Sequence, residues 1–159
     1  MIYTPMTKKA LKLCFDTHKE QTDKSGMPYV FHPFYLASQM KDEDSTIVAL
    51  LHDVVEDSDL TIEDLRKMGF NENVLEAIKL LTHDDPSVLY LDYVAQIKTN
   101  PLATVVKLAD LRHNSDITRM DIMSPRDKVR QEKYKRAIEL LENWKRANLS
   151  PFFNGIEKA

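Results

Sequence analysis

Three glycines in 159 residues leave little room for the many tight turns of a sheet-rich chain. Helix punctuation is plentiful instead. Thr4-Pro5 reads as an N-cap followed by Pro at the first helical position, and Ala10, Leu13, Cys14 and Thr17 follow at helical spacing. DKSGMPYVFHP (23–33) reads as a turn and connector, ahead of a short helix through Met40. Asp44 or Ser45 is placed to cap a helix that contains LLHDVVEDS (50–58). Thr61 and Asp64 have capping-box spacing before a short helix ending near Gly69. Asn71 is placed to cap NVLEAIKLLT (73–82), and Asp85-Pro86 to open a helix carrying Leu89, Tyr93 and Ile97. Asn100-Pro101 restarts the chain into PLATVVKLADLRHN. Ser124-Pro125 opens a long last helix with Tyr134, Ala137, Leu141 and Trp144 on one face. TVVKLAD (104–110) could pass for a strand, but the Pro before it and its i,i+4 polar pattern favour helix. The expectation is an all-α fold: one domain of about eight helices over residues 1–150, with an irregular tail at 151–159.

Composition narrows the function classes. With 43% hydrophobic and 30% charged residues, the chain matches ordinary soluble proteins, and no apolar run approaches the roughly 20 residues that span a bilayer. MIYTPMTKKALKLCF lacks the regions of a signal peptide, and a single cysteine, Cys14, excludes an internal disulfide framework. These features point to the cytoplasm and to no membrane partner. The net charge of −3, without a long basic run, argues against a nucleic acid polymer but not against a small anionic ligand. Oligomeric state is left open.

LLHDVVEDS carries the first candidate site residues. On a helix turning roughly 100° per residue, His52, Asp53, Glu56 and Asp57 share one arc, and Leu50, Leu51, Val54 and Val55 share the other. Taken alone, that arc is an ordinary wet face. It holds three carboxylates and an imidazole, however, and no Lys or Arg. Like charges at i,i+4 repel, and a divalent cation among them would relieve the repulsion. Asp110 interrupts an apolar stripe, where a carboxylate is costly unless it is paired or metal-bound, and Asn114 stands one turn further on. His32 lies among Tyr29, Phe31 and Phe34, the usual setting of a packed core histidine. His18, His83 and His113 read as structural or surface residues by default. Together, His32, His52, Asp53 and Asp110 form an imidazole–carboxylate set of the kind that suits Mn²⁺, Fe²⁺, Zn²⁺ or Co²⁺. A metal held there would activate water and polarise a phosphoryl oxygen, leaving Glu56 and Asp57 to handle protons.

In chain order, His32, His52-Asp53 and Asp110 resemble the H…HD…D signature of the HD-domain metal-dependent phosphohydrolases. The flanking SGMPYVFHP, LLHDVVEDS and VVKLADLRHN are similar to the hydrolase domain of the RelA/SpoT family and its small Mesh1-like relatives, over about His18 to Asn114. The resemblance implies an all-helical fold binding one divalent metal, usually Mn²⁺, that removes the 3′-pyrophosphate from guanosine tetra- or pentaphosphate in the stringent response. It implies His32, His52, Asp53 and Asp110 as metal ligands, Glu56 and Asp57 as the acidic pair positioning water, and Asn114 as a nucleotide contact. Lys24, and with it Arg112, would offset phosphate charge. Two departures bear on specificity rather than on the metal. Thr22 and Asp23 stand where relatives often carry basic residues, and Arg112 and His113 occur in a different order within ADLRHN. The alternatives left open are a phosphatase for another nucleotide, such as NADPH or a nucleoside monophosphate, and a non-enzymatic nucleotide-binding module.

Overall fold

The computed structural model describes residues 1–120 and 122–153. Among them are eight α-helices and no strand: α1 (Pro5–His18), α2 (Phe31–Ser38), α3 (Glu43–Leu51), α4 (Ile62–Lys67), α5 (Glu72–Leu81), α6 (Tyr90–Ile97), α7 (Pro101–Ser115) and α8 (Pro125–Phe153). A short 3₁₀ turn, Ile117–Arg119, joins the last two. Four caps are those the sequence led one to expect, while α3 is capped by Asp42 rather than by Asp44 or Ser45, because the Asp42 carboxylate is the one that reaches the Ser45 N–H. The side chains of Thr4, Thr61, Asn71 and Asn100 each accept the backbone N–H three residues on, satisfying donors that a helix start leaves orphaned. TVVKLAD lies within α7.

The core is built around α3, which packs on α1, α2, α5 and α7. Every residue from Ser45 to Leu51 is buried. A helix enclosed on all sides has no wet face, and this overturns one expectation. LLHDVVEDS does not continue as an amphipathic helix; α3, capped by Asp42, ends at Leu51 with His52 as its C-cap. The polar residues come after the helix, on a tightened turn. Val54 N–H reaches back to Leu51 O, and Asp57 N–H to Asp53 O. The His52 ring takes the Ala49 carbonyl and the Ser58 hydroxyl takes that of Val54. Side chains thus satisfy carbonyls that a continuing helix would have used.

Three further boundaries shift. Helix α2 begins at Phe31, so His32 is on a helix rather than in the connector, with Pro33 in the first turn where its missing N–H costs nothing. Helix α6 begins at Tyr90 rather than at Pro86, because the Asp85 carboxylate is engaged by the N–H and hydroxyl of Ser87, a local turn that competes with helix. Helix α8 continues past Leu149 to Phe153; the remainder of the expected tail, 154–159, lies outside the described residues. No helix among the described residues is long and apolar enough to cross a membrane.

Candidate metal centre

Three elements deliver the donor atoms. Helix α2 carries His32, the turn after α3 carries His52 and Asp53, and α7 carries Asp110. One ligand atom each from His32, His52 and Asp53 lie within 4.8 Å of one another. Asp110 adjoins this group through His32, with Oδ1 3.2 Å from His32 Nε2. His32, His52 and Asp110 are all buried.

A hydrogen-bond partner assigns the tautomer of His52. His52 Nδ1 faces the Ala49 carbonyl at 2.9 Å, an acceptor only, so Nδ1 carries the proton and Nε2 presents a lone pair. That Nε2 lies 3.0 Å from Asp53 Oδ2, is buried, and makes no hydrogen bond. His113 Nδ1 lies 3.2 Å from Arg119 Nη1 and 2.6 Å from His32 Nδ1, and His32 Nε2 faces Asp110 Oδ1. One acceptor–acceptor contact, His52 Nε2–Asp53 Oδ2, thus stands at the core of the site with the His32–Asp110 contact beside it, and an imidazole–carboxylate set of this kind fits a divalent metal. Without a metal, a proton can bridge His52 and Asp53. Burial opposes ionisation of both His52 and Asp53, but their mutual attraction outweighs it, raising the imidazole and holding the carboxyl below its usual range.

Outer contacts fix these groups. The Tyr29 hydroxyl donates to Asp53. Lys107 Nζ donates to Asp110 Oδ2 at 2.9 Å, and the Asn114 amide donates to Asp110 Oδ1. Burial disfavours the Asp110 anion, yet Lys107 and the two histidines hold its pKa far below the carboxylate range. Burial, with His32 and Arg119 beside it, pushes His113 down to about 4, so it is neutral at pH 7. Tyr29 and Asn114 also line an adjoining cavity of about 290 Å³ with Lys24, Arg119, Arg130 and Tyr134, close to the lower end of small-molecule sites.

No protein-family model matches the chain. A probable guanosine-3′,5′-bis(diphosphate) 3′-pyrophosphohydrolase of Synechocystis is 32% identical over 130 residues, 74% of this chain and 17% of that protein. The bifunctional (p)ppGpp synthase/hydrolase SpoT of Escherichia coli is 31% identical over 121 residues, 67% of this chain and 17% of that one. The chain thus spans 17% of the length of these curated relatives. A solved metazoan ortholog of SpoT, which hydrolyzes ppGpp, superposes with a TM-score of 0.69 at 22% identity, covering 92% of this chain and 97% of that one. Over most of its length the chain is similar to a segment of the SpoT enzymes, and it shares the fold of the metazoan ortholog.

Within this fold the expected site residues divide. His32, His52 and Asp53 converge, and Asp110 and Asn114 adjoin them. Glu56 and Asp57 follow on the same turn. The Glu56 carboxylate accepts the His83 backbone N–H, and Asp57 Oδ2 lies 3.7 Å from His18 Nδ1. Burial raises both carboxyls above their ordinary values, and Asp53 adds to the shift. Lys24 lines the cavity. Arg112 does not: it is exposed on the α8 side of α7, paired with Glu142 at 2.7 Å. The guanidiniums at the cavity are Arg119 and Arg130, which no motif had singled out. The other histidines, read as structural or surface residues, are packed ones. His18 is fully buried against Tyr29, His113 stacks on His32, and His83 stacks on Tyr93 beside Glu56. A run of HN after the buried Asp110 was the available signal for His113; nothing local marked Arg119.

Proposed function

We propose that the chain is a metal-dependent hydrolase that removes the 3′-pyrophosphate from guanosine 3′,5′-bis(diphosphate), its pentaphosphate, or a closely related nucleotide. The observation that carries this reading is the convergence of His32, His52, Asp53 and Asp110, with the unpartnered His52 Nε2 against Asp53, beside a cavity lined by cations and tyrosines. The names of the relatives and the HDVVED turn support the substrate class.

His32, His52, Asp53 and Asp110 would hold the ion; the donor set suits Mn²⁺, Fe²⁺, Zn²⁺ or Co²⁺, and the resemblance to the SpoT hydrolases favours Mn²⁺ among them. When bound, such an ion makes water acidic enough to attack at neutral pH and draws electron density from a phosphoryl oxygen. The remaining work falls to this chain's side chains. Tyr29, Lys107 and Asn114 orient the two carboxylates, so these need not reorganise when the ligand arrives. Glu56 and Asp57, raised by burial yet open to solvent, accept the proton of the attacking water and pass it on. Lys24 meets phosphate charge as a point cation, without the planar fork of Arg. Asn114, its carbonyl braced by Gln131, turns toward the nucleotide from the edge of the metal group.

The test is direct. Purified chain with Mn²⁺ and guanosine 3′,5′-bis(diphosphate) should release pyrophosphate, and EDTA should stop it. Asp53→Ala should abolish turnover; full activity in that variant would overturn the metal assignment. Release of orthophosphate alone would point instead to a phosphatase for another nucleotide, and binding without turnover across several metals to a non-enzymatic module.

A further inference from the structure

The cavity beside the metal group is built from charges that cancel. Its lining contains three cations, Lys24, Arg119 and Arg130, and three acids, Asp23, Asp116 and Asp127. The pairing is specific. Arg119 Nη2 lies 3.1 Å from Asp23 Oδ2, both side chains largely buried at 28% and 19% exposure. Arg130 Nη1 lies 3.1 Å from Asp127 Oδ1. The Nη1 donors of Arg119 go to the His113 carbonyl and ring. Among the described residues, a nucleotide entering here finds one cation, Lys24, that no acid pairs within hydrogen-bond distance, where a polyphosphate needs several.

Asp23 is the residue that creates this balance, and it is held for the task. Its Oδ1 accepts the backbone N–H groups of Ser25 and Met27, in a turn where Gly26 takes a φ of +77°. The Ser25 hydroxyl donates to the Arg119 carbonyl at 2.7 Å, so the loop and the 3₁₀ turn are clasped from both sides. Oδ2 is thereby aimed at the guanidinium and not at solvent.

We infer that Asp23, by pairing with Arg119, is a specificity-determining residue: it leaves the cavity little to gain from added charge at the nucleotide's end away from the scissile pyrophosphate, so that a 5′-monophosphate is accepted about as well as a 5′-diphosphate or triphosphate. This rests on reading the cavity as the nucleotide site. It is a positioning role, exercised through Arg119.

Asp23→Asn separates it from loop stability, because the Asn carbonyl can still accept from Ser25 and Met27 while its amide cannot accept from Arg119. Binding of GMP, GDP and GTP is measured by calorimetry in metal-free buffer, so that chelation does not enter. In the natural chain the three affinities should lie within about threefold of one another, the scale of a screened surface charge. In Asp23→Asn, GTP should gain roughly tenfold or more over GMP, the scale of one freed charge-assisted contact. Asp23→Asn with Arg119→Gln should return to the natural ladder. Affinity that climbs more than about tenfold from GMP to GTP in the natural chain overturns the inference, and this arm needs no variant to fold. An unchanged ladder in folded Asp23→Asn overturns it too. Binding of none of the three, in either protein, overturns the nucleotide-site reading together with the inference, a result distinct from a steep ladder.

Discussion

Lys107 is the cation on which the apo site depends, and Lys107→Met tests that. Its ammonium sits 2.9 Å from Asp110 Oδ2, with side-chain exposures of 13% and 8%. Met keeps most of the apolar stem and removes only the charge. Breaking a buried pair from one side leaves the other charge uncompensated, at a cost of about 3–5 kcal/mol. Asn114 and His32 still contact Asp110, so the lower end is expected, about 3 kcal/mol at pH 7. The pH dependence follows from the sign of the shift. The folded Asp110 carboxyl lies well below its unfolded value of 3.8, so its stabilisation is present above that pH and is lost as pH falls through the folded value. The variant loses that contribution, and its deficit should be full near neutrality and shrink below about pH 4. Urea unfolding followed by far-UV circular dichroism, with EDTA and with Mn²⁺, reads both effects. Mn²⁺ should recover part of the loss by supplying the missing positive charge. A deficit below about 1 kcal/mol in EDTA, or one that grows as pH falls, would refute the reasoning.

Three further outcomes are expected. Tyr29→Phe removes the hydroxyl that orients Asp53 and should weaken Mn²⁺ binding roughly ten- to a hundredfold by calorimetry; unchanged affinity would show that the contact does not position the ligand. Burial pushes the Cys14 thiol up to about 12 from 9.0, so the folded chain keeps a proton that the unfolded chain releases, and stability should fall as pH rises above 9 with a slope of about 1.4 kcal/mol per unit. Cys14→Ala should flatten that slope, and the native thiol should resist alkylation at pH 8; a slope identical in both proteins would sink the assignment. Arg112→Ala breaks only an exposed pair with Glu142, so it should cost less than about 1 kcal/mol and leave substrate KM unchanged, whereas a large rise in KM would restore Arg112 to the binding site.

Much of the fold was legible because it is local. Thr4, Thr61, Asn71 and Asn100 cap the helices they precede through hydrogen bonds spanning three residues, and such signals do not wait for packing. The candidate ligands were legible for a related reason: a His-Asp pair in an acidic turn and a carboxylate in an apolar stripe are costly anywhere else. What the tertiary structure alone decided is where α3 stops and what surrounds the donors. Enclosure by α1, α2, α5 and α7 removes the wet face that periodicity assigned to LLHDVVEDS, and His52 then turns its ring to the Ala49 carbonyl. Arg112 and Arg119 lie in a sequence that treats them alike. One faces Glu142 on the surface and the other Asp23 at the cavity, because the direction of a helix face is set by the partners packed against it, and those lie far away along the chain.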